Sequence, residues 1–180
     1  TAIKRGLFCG VLLFLAFAFQ TFGLMYTTPS KNAFLTATNV ILVPYLLWLI
    51  LKRKPTKKEM LASTLCVIGI ALLTLRVDVI QLNIGDLLSF ICAIFFAGHM
   101  IALEKSAPQA NVFAMTALQM ISAGVLSAVF ALTIEGVPKT IPQTASVALG
   151  YSIICSTMLA YLLQTWAQKY TSANHASMIL

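Results

Sequence analysis

The chain has 180 residues, of which 59% are hydrophobic and 9% charged, with a mean hydropathy of +0.91. An ordinary soluble domain carries roughly 25% charged residues, so the composition excludes a soluble globular protein and makes the lipid bilayer the chain's first partner. The net charge of +7 does not indicate nucleic acid, because the basic residues are densest in one short loop, where membrane orientation explains them.

Lys4 and Arg5 precede an uncharged run over residues 7–28, long enough to cross the roughly 30 Å hydrocarbon core as a helix. Thr28, Pro29 and Ser30 break it in a tight turn, and a second uncharged run, 32–51, gives the next helix. Asn32, Thr36 and Asn39 share one face of that helix, and Pro44 leaves the Val40 carbonyl without its helical partner, so a kink is expected there. Tyr45 and Trp48 suit an interfacial anchor. The loop KRKPTKK, 52–58, follows, and Thr56 with Glu59 forms a T-x-x-E capping box for a third helix reaching about residue 75, short for a span.

After RVDVIQLNIGD, Asp86 is placed to cap a helix over 87–103 that carries Ser89, Cys92, Phe96 and His99 on one face. Glu104, Lys105 and Pro108 end it; Asn111 caps a helix over 112–134, in which Gln119 and Ser122 are polar; EGVPKTIPQ is the next loop. A sixth helix, 145–168, sets Thr157, Tyr161, Gln164 and Gln168 at i, i+4, i+7 and i+11, a single face. A seventh starts near Ala173 and is cut off, giving six complete spans and the start of another. Because the chain begins at Thr1 and stops within an apolar run, it is expected to be a piece of a longer protein; no cleavable signal peptide is visible.

With alternate loops on opposite sides, Lys4, Arg5, Lys52, Arg53, Lys54, Lys57, Lys58, Lys105 and Lys169 fall on one side, and Lys31, Arg76 and Lys139 on the other. The first side is read as cytoplasmic, in a cell (inner or plasma) membrane. Snorkelling toward headgroups accounts for Lys31.

The stretch QTFGLMYTTPSKNAFLT from Gln20 returns at an offset of 144 as QTWAQKYTSANHASMIL, matching Gln20 to Gln164, Thr21 to Thr165, Tyr26 to Tyr170 and Thr27 to Thr171. The first and sixth helices correspond yet lie five positions apart, so they must cross in opposite directions. An inverted-topology repeat is the plan of many secondary transporters, with the substrate site between the halves.

GLMYTTPSKNAFLTATNVILVPYLLWLILKRKPTKKEMLASTLCVIGIALLTL, GDLLSFICAIFFAGHMIALEK and AYLLQTWAQKYTSANHASMIL together resemble the EamA-type members of the drug/metabolite transporter superfamily. The resemblance implies an all-α membrane bundle, part of a ten-helix inverted five-plus-five repeat with both termini cytoplasmic. Residues 1–77 would then be the last three helices of the first EamA-like repeat and 78–180 the first part of the second. It implies movement of small organic solutes such as amino acids, other metabolites or drugs.

An intramembrane amide is costly unless it faces the bundle interior or a wet cavity, or bonds a neighbouring helix. With that ground for the amides, the kink for Pro44, the imidazole for His99 and the shared face for Thr157 and Tyr161, the expected substrate path comprises Gln20, Asn39, Pro44, His99, Gln119, Thr157, Tyr161 and Gln164. Glu59, Asp78, Asp86, Glu104 and Glu135 all fall at helix ends or in loops, so proton coupling within these spans would rest on His99. Cys9, Cys66, Cys92 and Cys155 lie one per apolar segment and are expected to be buried small hydrophobes. Gly6 with Gly10, and Ala97 with Gly98, are expected to let helices pack closely. No GxSxG, HExxH or Walker loop is present, so neither catalysis, a cofactor nor a metal is expected. The expected function is secondary transport by alternating access. The rivals are a non-transporting membrane assembly protein and a lipid-active membrane enzyme, and homo-oligomerisation stays open.

Overall fold

The computed structural model describes residues 2–74, 83–134 and 143–179. Arg76, Asp78, Glu135, Lys139 and most of the two loops read around them lie outside the described residues. The elements in order are α1 (Ala2–Tyr26), α2 (Pro29–Ala37), α3 (Asn39–Leu51), α4 (Lys57–Thr74), α5 (Ile84–Ser106), a 3₁₀ turn (Ala107–Gln109), α6 (Val112–Ile134), α7 (Gln143–Tyr151), a π-helical stretch (Ser152–Leu159), α8 (Ala160–Gln168) and α9 (Ala173–Ile179). Five stretches are long and apolar enough to cross a membrane: Ala2–Tyr26, Pro29–Leu51, Ile84–Gln109, Val112–Ile134 and Ser146–Gln168. Among the described residues α4 falls short of that measure, since its 18 residues open with Lys57, Lys58 and Glu59.

The helix starts follow local chemistry. Thr28 caps α2 by accepting the Lys31 N–H at 3.3 Å, with Pro29 in the first turn, where its missing N–H costs nothing. Thr56 and Glu59 close their box, Glu59 accepting the Thr56 N–H at 2.7 Å and Thr56 Oγ1 accepting the Glu59 N–H at 3.2 Å. Asn111 Oδ1 accepts the N–H groups of Phe113 and Ala114 at 2.9 and 3.2 Å.

Two local expectations are corrected. The cap of α5 is Asn83, whose Oδ1 accepts the Asp86 N–H at 3.0 Å while Asp86 Oδ2 accepts the Asn83 N–H at 3.0 Å. Asp86 is therefore the inner member of the box, and the helix starts earlier than expected. The second predicted helix divides at Thr38, with Pro44 inside the continuous α3. At Thr38 the N–H turns to the Leu35 carbonyl at 3.2 Å and the hydroxyl donates to the same oxygen at 2.5 Å, a side chain competing with the helical ladder.

Packing centres on α5, which lies against α1, α2, α3 and α9, while α1 also packs along α6. Small residues permit this. A Cβ on Gly10 would stand 2.5 Å from Ser122 Cβ, and one on Gly85 2.6 Å from the Gly23 carbonyl oxygen. Ala97 is buried as expected, but a Cβ on Gly98 would meet open space, so the close contact belongs to Ala97 alone. Cys9 and Cys92 are buried, whereas Cys66 is half-buried and Cys155 exposed. Leu65, Leu72, Val125, Leu132 and Ile154 stand exposed on the outer faces, as suits side chains facing hydrocarbon.

Candidate functional site

A partly open cavity of about 760 Å³ lies between the helices. Phe96, His99 and Met100 of α5 form one wall, Tyr161 and Gln164 of α8 another, and Gln20 of α1, Thr36 of α2 and Asn39 of α3 face them. Cys66 of α4, Ser156 of the π-helical stretch and Ser177 of α9 complete the polar lining. No charged side chain contributes to this lining among the described residues. The cavity therefore offers amides, hydroxyls, an imidazole and aromatic surface, the mixture of apolar wall and few polar groups that suits a small organic molecule.

Of the path expected from the sequence, Gln20, Asn39, His99, Tyr161 and Gln164 meet here. Gln119 stands one layer behind, fully buried, with Oε1 3.0 Å from His99 Nε2. Pro44 lies elsewhere, in a cleft with Leu47, Arg53, Glu59 and Asn174 at the 52–58 end, one turn beyond Val40, which lines the cavity from the same face of α3. Thr157 is also off the wall. Its hydroxyl donates to the Ser152 carbonyl five residues back at 3.0 Å, as π geometry permits, and Ser156 lines the cavity instead. A face drawn at α spacing cannot continue through that stretch.

Thr165 is the member that the sequence reading missed. Gln119 Nε2 donates to Thr165 Oγ1 at 3.0 Å, and Thr165 Oγ1 donates to the Tyr161 carbonyl at 2.7 Å. Its signal was present, since Thr165 pairs with Thr21 in the repeat, but nothing local showed which side it turns to. Gln164 Nε2 donates to Gln168 Oε1 at 3.3 Å and Gln168 Nε2 to the Met100 carbonyl at 3.1 Å, tying α8 to α5. The aromatic rings meet edge to face: Phe17 with Phe96 at 5.6 Å, Phe17 with Tyr161 at 6.1 Å and His99 with Tyr161 at 5.9 Å.

Below this wall, Val43, Leu47, Ala97, Met100, Ile101 and Ala173 form an apolar cluster between α3, α5 and α9. Beyond it Glu104 accepts the Ala173 N–H at 2.8 Å, capping α9, and lies 3.4 Å from Arg53. At the other end of α5 the snorkelling expected of Lys31 is corrected. Lys31 Nζ lies 2.6 Å from Asp86 Oδ2, and Thr27 Oγ1 donates to Asp86 Oδ1 at 2.6 Å. Both groups were expected on the same side of the membrane with opposite sign, which was the signal for the pair. Asn32 completes this junction, donating to Ser89 Oγ at 2.8 Å and to the Gln20 carbonyl at 3.2 Å. No group of three or more potential metal ligands occurs among the described residues.

Five apolar spans, four of which line a cavity with a neutral polar lining, define a multi-pass α-helical membrane protein. The model of the EamA-like transporter family matches residues 1–75 and 83–180, and the chain belongs to that family. It is similar to an uncharacterized transporter of Archaeoglobus fulgidus, 32% identical over 177 residues that cover 98% of this chain and 56% of the relative. The chain thus spans about half the length of the curated relative it matches.

Proposed function

We propose that this chain is part of a secondary transporter that moves small organic solutes, amino acids and related metabolites among them, by alternating access. The observation that carries the reading is the meeting of Gln20 and Gln164 in one cavity, because these two amides occupy equivalent positions of the repeat. A site built from equivalent positions of two inverted halves suits a mechanism in which one half rocks against the other. Residues 1–77 would belong to the first half and 78–180 to the second. The apolar cluster between α3, α5 and α9, with Glu104 beyond it, would close the 52–58 end, taken as cytoplasmic.

Counterflow of a labelled amino-acid and metabolite panel into proteoliposomes holding the full-length protein tests the reading, at two external pH values. Uptake of any class establishes a carrier, and pH dependence directs attention to His99. Absence of uptake with folded protein turns the reading to a membrane assembly protein. Gln164→Ala should lower flux per molecule about fivefold, the worth of one hydrogen bond; unchanged flux would make the α8 amides packing groups only.

A further inference from the structure

Three buried side-chain atoms lack a hydrogen-bond partner among the described residues: His99 Nδ1, Thr116 Oγ1 and Asn174 Oδ1. Only His99 belongs to the wall of the large cavity. Buried polar groups are nearly always bonded, so an orphan at a binding cavity calls for a partner that arrives with the ligand.

Hydrogen-bond accounting fixes which kind of partner. The single proton of Thr165 Oγ1 is directed at the Tyr161 carbonyl at 2.7 Å, so toward Gln119 this hydroxyl can only accept. The nitrogen of the Gln119 amide must therefore face Thr165, which turns its carbonyl oxygen to His99 at 3.0 Å. An amide oxygen only accepts, so His99 Nε2 carries the proton. In the neutral ring Nδ1 is then a bare lone pair, a hydrogen-bond acceptor. Reversing the Gln119 amide would set its NH₂ against Nε2 and would require the Thr165 proton to leave the Tyr161 carbonyl for the Gln119 oxygen.

We propose that His99 Nδ1 receives a hydrogen-bond-donating group of the transported solute, an ammonium, amide or hydroxyl and not a carboxylate, and that Gln119 is the positioning residue that keeps Nδ1 bare. This rests on the transporter reading and adds to it the end of the solute that meets α5. His99 is 0% exposed, so the donor reaches Nδ1 only after a lining side chain moves; Tyr161 of the adjoining α8 wall stands edge-on to it at 5.9 Å.

The test uses the full-length protein with ¹⁵N-labelled histidine in lipid nanodiscs, the His99 signals being assigned by their loss in His99→Asn. Without solute, Nε2 should be protonated and Nδ1 bare. At least one of L-alanine, L-leucine and L-phenylalanine should shift the Nδ1 signal toward that of a hydrogen-bonded nitrogen, and its N,N,N-trimethyl derivative, which has no donor left, should not. Gln119→Leu should mix the two tautomers and raise the half-saturation for counterflow of that amino acid about tenfold, the loss of one buried hydrogen bond. A proton found on Nδ1 in the unmodified protein overturns the proposal whatever the flux. Counterflow without an Nδ1 shift overturns it and leaves the transporter reading standing. Neither counterflow nor a shift overturns both.

Discussion

Each end of α5 is fastened by a carboxylate, yet the two joints differ in kind. Asp86 is 4% exposed, and its carboxylate accepts three bonds at once, from Lys31 at 2.6 Å, the Thr27 hydroxyl at 2.6 Å and the Asn83 N–H at 3.0 Å, while its own N–H donates to Asn83 Oδ1 at 3.0 Å. Around it Gly23 and Gly85 bring α1 and α5 into backbone contact. Glu104 is 20% exposed, its Arg53 partner is 50% exposed at 3.4 Å, and its other bond reaches the start of α9. A buried charge with all its partners within one junction cannot be parted without stranding an ion. A carboxylate shared between a loop arginine and a separate helix can let go of either at little cost. The difference makes the Asp86 end the more tightly bonded joint of α1, α2 and α5, and the Glu104 end the more loosely bonded one.

The largest effect that sharpens this contrast is expected at Asp86. Asp86→Ala takes the shared carboxylate from Lys31, Thr27 and Asn83 at once and should cost about 3–5 kcal/mol in a chemical unfolding titration in detergent, with Lys31→Met in the same chain recovering part of it. A loss below that of Arg53→Ala would break the comparison. Gly85→Ala should cost roughly 1–3 kcal/mol by the same measurement, because the new methyl meets the Gly23 carbonyl and the backbone of Tyr26 and Thr27, which cannot turn aside as a side chain can. The smallest effect belongs to the exposed pair. Arg53→Ala should change stability by about 0–1 kcal/mol, and the transport assay should show its effect, if the Glu104 end is the one that opens, as altered flux with unaltered melting.

Much of the fold was legible because its signals are local. The α6 boundaries, the Thr56–Glu59 box, the Asn111 cap and the start of α9 near Ala173 follow from apolar runs bounded by residues that satisfy nearby N–H groups. Cap identity at α5 went to Asn83 over Asp86 because a box needs both members three apart, and the sequence was read with only one. The Thr38 division was not visible, since a threonine in a membrane helix either bonds back to its own turn or faces a neighbour, and only packing chooses.

The candidate site was legible in its membership more than in its geometry. Helical spacing and the repeat brought Gln20, Asn39, His99, Tyr161 and Gln164 to attention, and these line one cavity. Thr157 was drawn by the same spacing and Pro44 by its missing backbone donor, and neither does, Pro44 because it sits one turn beyond the cavity, Thr157 because the π-helical stretch shifts the register ahead of α8.

The sequence by itself determined that the chain lies in a membrane, where its helices run, and which of its polar side chains are too costly to leave in lipid. Those properties depend on apolar length and on bonds between residues a few positions apart. Only the tertiary structure decided that Lys31 meets Asp86, that Glu104 caps α9, and that Thr165, Gln119 and His99 form one directed chain of hydrogen bonds. Those contacts join residues separated by 20 to 69 positions, and they are set by how each helix is rotated against its neighbours, which no local pattern encodes.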